Sequence, residues 1–241
     1  MKILIAGDSW ALGEWTEKDI PGAEGRKVFP DGILHPGIAE YLKNNSHDIL
    51  NLGWPGGSNK HSVSRITSIL AEYDHPDIIL FFQTDPFRDR RIGTEENYYY
   101  PKDFWLKYSS VEEFLEHSDS LLQLTYKNLN DLNKKIYCIG GCSKLNLKLI
   151  KQYDNLIPLV ESFIELCYPN FSAPDVWLGD WVYHEPPKKS MFLLDFLTKQ
   201  HEIREKLSTK EYAEYFWPDG QHPNRKGHAL LFDYLKKVVD I

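Results

Sequence analysis

The chain has 241 residues, of which 42% are hydrophobic and 26% are charged, and its formal net charge is −7. This length allows one α/β domain with a sizeable core. Nucleic-acid binding needs clustered Lys and Arg, so an acidic chain argues against a nucleic-acid partner. No apolar run approaches the ~18 residues that a membrane-spanning helix requires, so we expect no membrane partner either. Composition says nothing about the oligomeric state.

The cysteines and the N-terminus bear on the cellular compartment. Cys138, Cys142 and Cys167 are odd in number and form no regular framework, which favours reduced thiols and a cytoplasmic protein over a disulfide-stapled secreted domain. The apolar run after Lys2 is too short for a signal peptide and is typical of a first β-strand.

Short apolar runs alternate with longer segments of helical periodicity. Strands are predicted at 3–6, 49–52, 77–83, 135–139 and 155–160, and helices at 33–45, 59–73, 111–132, 188–206 and 224–239. This alternation predicts the α/β class, with a parallel sheet flanked by helices, in a single domain spanning 1–241.

Two aromatic-rich stretches interrupt this rhythm, near 86–110 and 168–187. Long ordered loops are often lids or binding loops, so both are candidates for covering a site above the sheet. The alternative is that their aromatic side chains pack together as a small satellite core.

The first chemically suggestive motif is Gly7-Asp8-Ser9, directly after the first predicted strand. Ligands bind at the carboxyl ends of strands in open α/β sheets. A serine there, followed by the amides of a turn or helix start, meets the needs of a nucleophile with an oxyanion site. Asp8 and Ser9 are also ordinary helix-capping residues, and that alternative implies no chemistry.

A second motif, DGQHP, places Asp219 three residues before His222. A carboxylate this close can bind imidazole Nδ1 and leave Nε2 to act as a base. Asn224 is the predicted N-cap of the last helix. The alternative is a turn that carries a surface histidine.

Two further motifs follow predicted strands. NLGWPGGSN, at 51–59, is glycine-rich, and the amide of Gly56 is a candidate oxyanion donor. QTDP, at 83–86, offers Thr84 as a polar donor and Asp85 as a residue that ties down a loop. Each motif is also compatible with a simple turn.

The four motifs in this order resemble the SGNH (GDSL-like) hydrolase family across the whole chain. The resemblance implies a three-layer α/β/α sandwich with a five-stranded parallel sheet, the flavodoxin-like SGNH hydrolase fold. It makes Ser9 the nucleophile, with Asp219 and His222 as its triad partners. The amides of Ser9 and Gly56 would form the oxyanion hole, and no metal or cofactor is implied.

The third motif departs from the family pattern. The family usually has Gly-x-Asn-Asp there, and its Asn side chain donates to the oxyanion, whereas this chain has Gln83, Thr84 and Asp85. The hydroxyl of Thr84 or the amide of Gln83 would have to replace that donor. Losing one oxyanion donor typically costs ~10²–10³ in rate, so the enzyme would be slow, use a substitute donor, or have lost activity.

The predicted activity is hydrolysis of a carboxylic ester through an acyl-enzyme. The abundant aromatic residues favour a small-molecule or glycan ester, and lipid esters also lie within the family range. Candidate substrate-binding residues flank the motifs: Asp8, Trp10, Trp54, Asp85 and Arg88. The alternatives are acyl transfer to a sugar or alcohol, and a non-catalytic binding protein on the same scaffold. A metal site has little support, because the other histidines show no ligand spacing.

Overall fold

We analysed a computed structural model that describes residues 1–15, 33–72, 75–90, 104–177, 191–217, 222–239 and 241. Its main sheet has five parallel strands, in the spatial order β4-β1-β5-β6-β7. These strands are β1 (Lys2–Ala6), β4 (Asp48–Asn51), β5 (Ile78–Gln83), β6 (Ile136–Gly140) and β7 (Leu156–Val160). A separate antiparallel pair consists of β2 (Glu14–Trp15) and β3 (Ile33–His35).

The helices complete the architecture. They are α1 (Ser9–Leu12), α2 (Ile38–Asn44), α3 (Asn59–Glu72), α4 (Val111–Asn130), α5 (Leu147–Ile150), α6 (Phe163–Cys167), α7 (Met191–Leu207) and α8 (Arg225–Val238). Among the described residues, two 3₁₀ helices cover Pro86–Arg90 and Phe104–Lys107.

Alternation along the central strands sorts the helices into two layers. Ile3, Ile5 and Phe82 point into a core shared with α2, α6 and α8. Leu4 and Phe81 point into the opposite core, shared with α3, α4 and α5. Successive side chains of a strand point to opposite faces, so a sheet apolar on both faces is covered on both. The predicted α/β class and α/β/α sandwich are therefore confirmed.

The strand order also locates the place where ligands bind in such sheets. The order is flavodoxin-like: β4 lies on one side of β1, and β5, β6 and β7 follow on the other side. The crevice lies at the carboxyl ends of β1 and its neighbour β5. Gly7-Asp8-Ser9 follows β1, and Gln83-Thr84-Asp85 lies at the end of β5.

Most predicted elements are present with small boundary shifts, but the helix predicted over 33–45 is partly wrong. Residues 33–35 form β3, and the helix begins only at Ile38. His35 precedes Pro36, and a residue before proline is biased toward extended backbone. Gly37 then has φ of +55°, outside the helical region. Pro36 and Gly37 therefore separate β3 from α2.

The described part of the 86–110 stretch forms a satellite core. The ring of Phe87 stacks on Phe114 at 4.3 Å between centroids and meets Phe104 edge-on at 5.5 Å. Tyr108 joins this cluster, and its hydroxyl lies 2.6 Å from Nδ1 of His117. The aromatic cluster therefore anchors the Pro86–Arg90 helix. The rest of the two interrupting stretches, 91–103 and 178–187, lies outside the described residues.

Within the described ranges, no helix is both long and apolar enough to cross a bilayer. Cys138, Cys142 and Cys167 take part in no disulfide. The cytoplasmic location stays a prediction from the sequence.

The buried His228 on α8 predicts a pH-dependent stability. Burial lowers the pKa of His228 to about 4, and an interaction with the Gly13 backbone opposes this only in part. In the unfolded chain the imidazole has a pKa of about 6.5, so between these values only the unfolded state takes up the proton. The contribution of neutral His228 to the unfolding free energy is therefore complete above about pH 6.5 and is lost as the pH falls toward 4.

Urea denaturation of wild type and His228→Leu measures this effect. From near pH 7 to about pH 5, wild type should lose about 2 kcal/mol more unfolding free energy than the variant. Equal losses in the two proteins would show that His228 is not the titrating group.

Candidate active site

A sharp turn after β1 presents Ser9 at the carboxyl edge of the sheet. Gly7 has φ of +152°, and a Cβ at this position would lie 2.6 Å from Cβ of Phe82. Only glycine allows both the conformation and this close approach. Asp8 then caps α1, its Oδ1 accepting from the Trp10 amide at 3.0 Å. Ser9 is the first residue of α1 and is 5% exposed.

The carboxylate of Asp8 connects the first motif to the third. Its Oδ2 accepts a hydrogen bond from the Thr84 hydroxyl at 3.0 Å and from Nη1 of Arg88 at 2.6 Å. The side chains of Asp8 and Arg88 are 8% and 13% exposed. This is a nearly buried, charge-assisted contact, the strong kind of hydrogen bond. Arg88, a predicted substrate-binding residue, is therefore part of the structural frame beside Ser9.

The second motif forms a tight turn against the first. The Trp54 amide donates to the carbonyl of Gly7 at 3.1 Å, and the Gly57 amide donates to the Trp54 carbonyl at 2.9 Å. Gly56, inside this turn, has φ of +67°, and no atom lies within 4 Å of where its Cβ would stand. The Gly57 carbonyl accepts from Nη1 of Arg88 at 3.3 Å. Arg88 thus joins all three motifs.

A positioning residue that sequence reasoning missed is Asn59. It is fully buried at the start of α3, and its side chain makes two hydrogen bonds to the Thr84 backbone. Nδ2 donates to the Thr84 carbonyl and Oδ1 accepts from the Thr84 amide, both at 2.9 Å. Asn59 lies within the NLGWPGGSN motif, but its partner is 25 residues away in sequence, so no local signal indicated this role.

Gln83 and Thr84, the two candidates for the missing donor, differ in orientation. The Gln83 amide nitrogen donates to the Lys144 carbonyl at 3.1 Å, and its oxygen accepts from the Tyr126 hydroxyl. These contacts bind Gln83 to α4 and to the segment after β6, whereas Thr84 contacts Asp8. The geometry therefore favours Thr84 over Gln83. Asp85 contacts its own loop, since its Oδ1 accepts from the Phe87 amide at 2.7 Å.

The two predicted substrate-binding tryptophans lie in different environments. Trp10 is 3% exposed, and its ring meets Phe163 and Phe216 edge-on, each at 5.6 Å. This burial favours a packing role over substrate contact. Trp54 is half-buried, with the guanidinium of Arg65 5.4 Å from its ring centroid.

The segment that carries His222 closes on itself before α8. The His222 carbonyl accepts from the Trp217 amide at 2.9 Å, and Phe216 forms an antiparallel bridge with Pro223. Asn224 caps α8 as predicted, its Oδ1 accepting from the amides of Lys226 and Gly227 at 2.8 and 3.2 Å.

His222 is half-buried, and its loop reaches the Ser9 helix through the contact between Phe216 and Trp10. In the described residues no hydrogen bond joins the Ser9 hydroxyl to the His222 imidazole. Catalytic hydrogen bonds are often long in the absence of substrate and tighten when it binds. Asp219, the third predicted triad member, lies outside the described residues.

Asp89, next to Arg88 on the Pro86–Arg90 helix, provides a further carboxylate near this edge of the sheet. Burial raises the pKa of Asp89, while hydrogen bonds from Ser58 and from the Lys60 amide oppose the shift. The Lys60 amide donates to Asp89 at 2.8 Å, which ties the Pro86–Arg90 helix to the start of α3. Within the described ranges, no group of three or more His, Cys, Asp or Glu side chains is arranged to hold a metal ion.

Comparison with known proteins gives distant structural similarity only. No protein-family model and no curated protein matches the sequence. Solved structures that match over nearly the whole chain include esterases and a GDSL-family protein. An esterase, EstA from Pseudoalteromonas sp., is 13% identical with a TM-score of 0.41, the match covering 99% of this chain and 96% of that one.

Two further structures are similarly distant. A catalytic mutant of Axe2, an acetylxylan esterase from Geobacillus stearothermophilus, is 16% identical with a TM-score of 0.42, over 99% of this chain and 94% of that one. A member of the lipolytic protein G-D-S-L family from Veillonella parvula is 14% identical with a TM-score of 0.41, over 99% and 98%.

Proposed function

We propose that this protein is an SGNH-type serine esterase with Ser9 as its nucleophile. The observation that carries the proposal is the convergence of two distant segments on the turn that carries Ser9. Trp54 of the second motif binds the Gly7 carbonyl, and Thr84 and Arg88 bind the Asp8 carboxylate. They meet at the carboxyl edge of β1 and β5, where sheets of this order bind ligands.

In the proposed mechanism, Ser9 Oγ attacks the ester carbonyl while His222 takes the hydroxyl proton. The tetrahedral intermediate collapses to an acyl-enzyme, and His222 returns the proton to the leaving alcohol. Water then attacks the acyl group by the same route, releasing the acid and restoring Ser9. Asp219 orients His222 and stabilises its charged form.

Three donors are proposed to stabilise the oxyanion: the amides of Ser9 and Gly56, and the hydroxyl of Thr84. A threonine hydroxyl has one proton to donate, and that of Thr84 is directed at Asp8. When it turns to the oxyanion, Asp8 keeps its hydrogen bonds from Arg88 and from the Trp10 amide. The Asp8–Arg88 pair therefore makes the reorientation of Thr84 less costly.

The proposed substrate is a small ester, with an O-acyl group on a carbohydrate as the preferred class. Trp54 supports this preference, because it is half-buried and lies in the turn that contains Gly56. An aromatic face beside the reacting group suits the apolar face of a sugar ring. The side chains that bind the Asp8 carboxylate next to Ser9 are polar: Thr84 and Arg88.

A fluorophosphonate probe tests the proposed nucleophile. Wild type should form one covalent adduct, located by peptide mass spectrometry at Ser9, and Ser9→Ala should form none. Ser118→Ala is a matched control, because Ser118 is equally buried but lies on α4. Equal labelling of wild type and Ser9→Ala would overturn the proposal. A folded wild type that resists labelling would favour the non-catalytic binding protein.

A substrate series tests the proposed class. Acetate release from acetylated sugars should exceed hydrolysis of long-chain nitrophenyl esters, and a preference for long acyl chains would contradict the carbohydrate assignment. Adding an alcohol acceptor at low concentration distinguishes a transferase, which would form the new ester in preference to the free acid.

A further inference from the structure

An ion pair with one buried end lies between the segments that follow Ser9 and His222. Nε and Nη2 of Arg225 both lie 2.8 Å from Oε2 of Glu14. The Glu14 side chain is only 1% exposed, whereas that of Arg225 is 46% exposed. The carboxylate end of the pair therefore lies inside the protein. The guanidinium contacts it through two nitrogens, a geometry that a lysine would not reproduce.

The two residues are placed to connect the proposed catalytic groups. Glu14 follows α1, the helix that Ser9 begins, and Arg225 begins α8, three residues after His222. The partners are 211 residues apart in sequence. Trp10 and Phe216 also connect the two segments, but their contact is apolar and not directional.

The surroundings of the pair restrict movement of the α8 end. The Tyr41 hydroxyl donates to the Arg225 carbonyl at 3.1 Å, and the Asn224 side chain donates to the Glu214 carbonyl at 3.0 Å. A Cβ on Gly37 would lie 2.9 Å from the His228 ring, so α8 packs closely there.

We propose that Glu14 and Arg225 are positioning residues that hold the His222 segment at the correct distance from Ser9. The proposal rests on the proposed function, since it assigns a purpose to the pair only if His222 serves Ser9. A displacement of about 1 Å at a catalytic group can cost up to about 100-fold in rate. Because a buried carboxylate is costly without its partner, the Glu14–Arg225 pair opposes such a displacement.

Glu14→Gln and Arg225→Lys test the pair, with Glu165→Gln as the matched control. Glu165, on α6, pairs with Lys144 at 2.8 Å, and the two side chains are 22% and 25% exposed. In an ester assay, Glu14→Gln should lower kcat by about 10- to 100-fold with KM nearly unchanged. Arg225→Lys should lower kcat less, because it keeps the charge and is half-exposed, and Glu165→Gln should leave kcat unchanged.

A second readout does not depend on activity. The Trp217 amide donates to the His222 carbonyl, so its hydrogen exchange reports the order of the His222 segment. In Glu14→Gln it should exchange at least about tenfold faster, while the amides of β5 exchange as in wild type. Wild-type exchange at Trp217 in both Glu14→Gln and Arg225→Lys would overturn the proposal, as would equal acceleration in Glu165→Gln.

The two readouts separate the two proposals. If wild type neither hydrolyses esters nor reacts with a phosphonate, the proposed function fails, and the Trp217 amide still decides whether the pair orders this segment. If wild type is active but the Glu14 and Arg225 variants match it in kcat and exchange, only the positioning proposal fails.

Discussion

Replacing Ser9 by alanine is expected to lower kcat for an activated ester on the order of 10⁴- to 10⁶-fold. The reason is that a triad acts as a unit, so removing the nucleophile also removes the benefit of the base. His222→Ala should cause a loss of the same order, and the double variant should be hardly slower than either single one. Steady-state hydrolysis of a nitrophenyl acetate measures all three.

The controls for this prediction concern folding and the choice of serine. Ser118→Ala should keep wild-type kcat, since the hydroxyl of Ser118 lies on α4. Circular dichroism should show that Ser9→Ala is folded, because the change removes only a hydroxyl that forms no hydrogen bond within the described residues. Losses that multiply in the double variant would show that Ser9 and His222 do not act together.

Replacing Arg88 by methionine is expected to lower the unfolding free energy by about 3–5 kcal/mol. The change leaves the Asp8 carboxylate nearly buried without its cationic partner, and two neutral donors, Thr84 and the Trp10 amide, do not compensate for the lost charge. Breaking a buried pair on one side is costly because the remaining charge stays desolvated. Urea denaturation measures the loss.

A second substitution distinguishes lost charge pairing from lost packing. Asp8→Asn in the Arg88→Met background removes the unpaired charge and should restore a large part of the stability. Lys127→Met breaks an exposed pair with Asp131, whose side chains are 62% and 55% exposed, and should leave the stability near wild type. An Arg88→Met variant as stable as wild type would show that the pair contributes little.

The fold was largely predictable from local pattern. The apolar runs that became β1, β5 and β6 lack polar residues except at their ends, as strands buried on both faces require. The start of α2 was mispredicted because the side-chain periodicity of residues 33–45 suggested a longer helix, while Pro36 and Gly37 interrupt the backbone. The pairing of β2 with β3 depends on contact between segments that no local pattern connects.

The candidate site was predicted less completely. Motifs identified Ser9, Gly56, Thr84 and His222 as residue types suited to acyl transfer, because each follows a strand or precedes a helix. The contacts of Asn59 and Arg225 were not predicted, since a side chain that binds a distant backbone or carboxylate leaves no periodic signal.

The sequence by itself determined the sheet, its helical layers and the edge at which the motifs meet, because strand burial, glycine conformation and proline restrictions act over a few residues. Only the tertiary structure decided that Asp8 binds Thr84 and Arg88, that Gln83 is held by Tyr126 and Lys144, and that Glu14 binds Arg225. Such contacts depend on which distant groups the fold brings within about 3 Å, a condition that neighbouring residues in the chain do not encode.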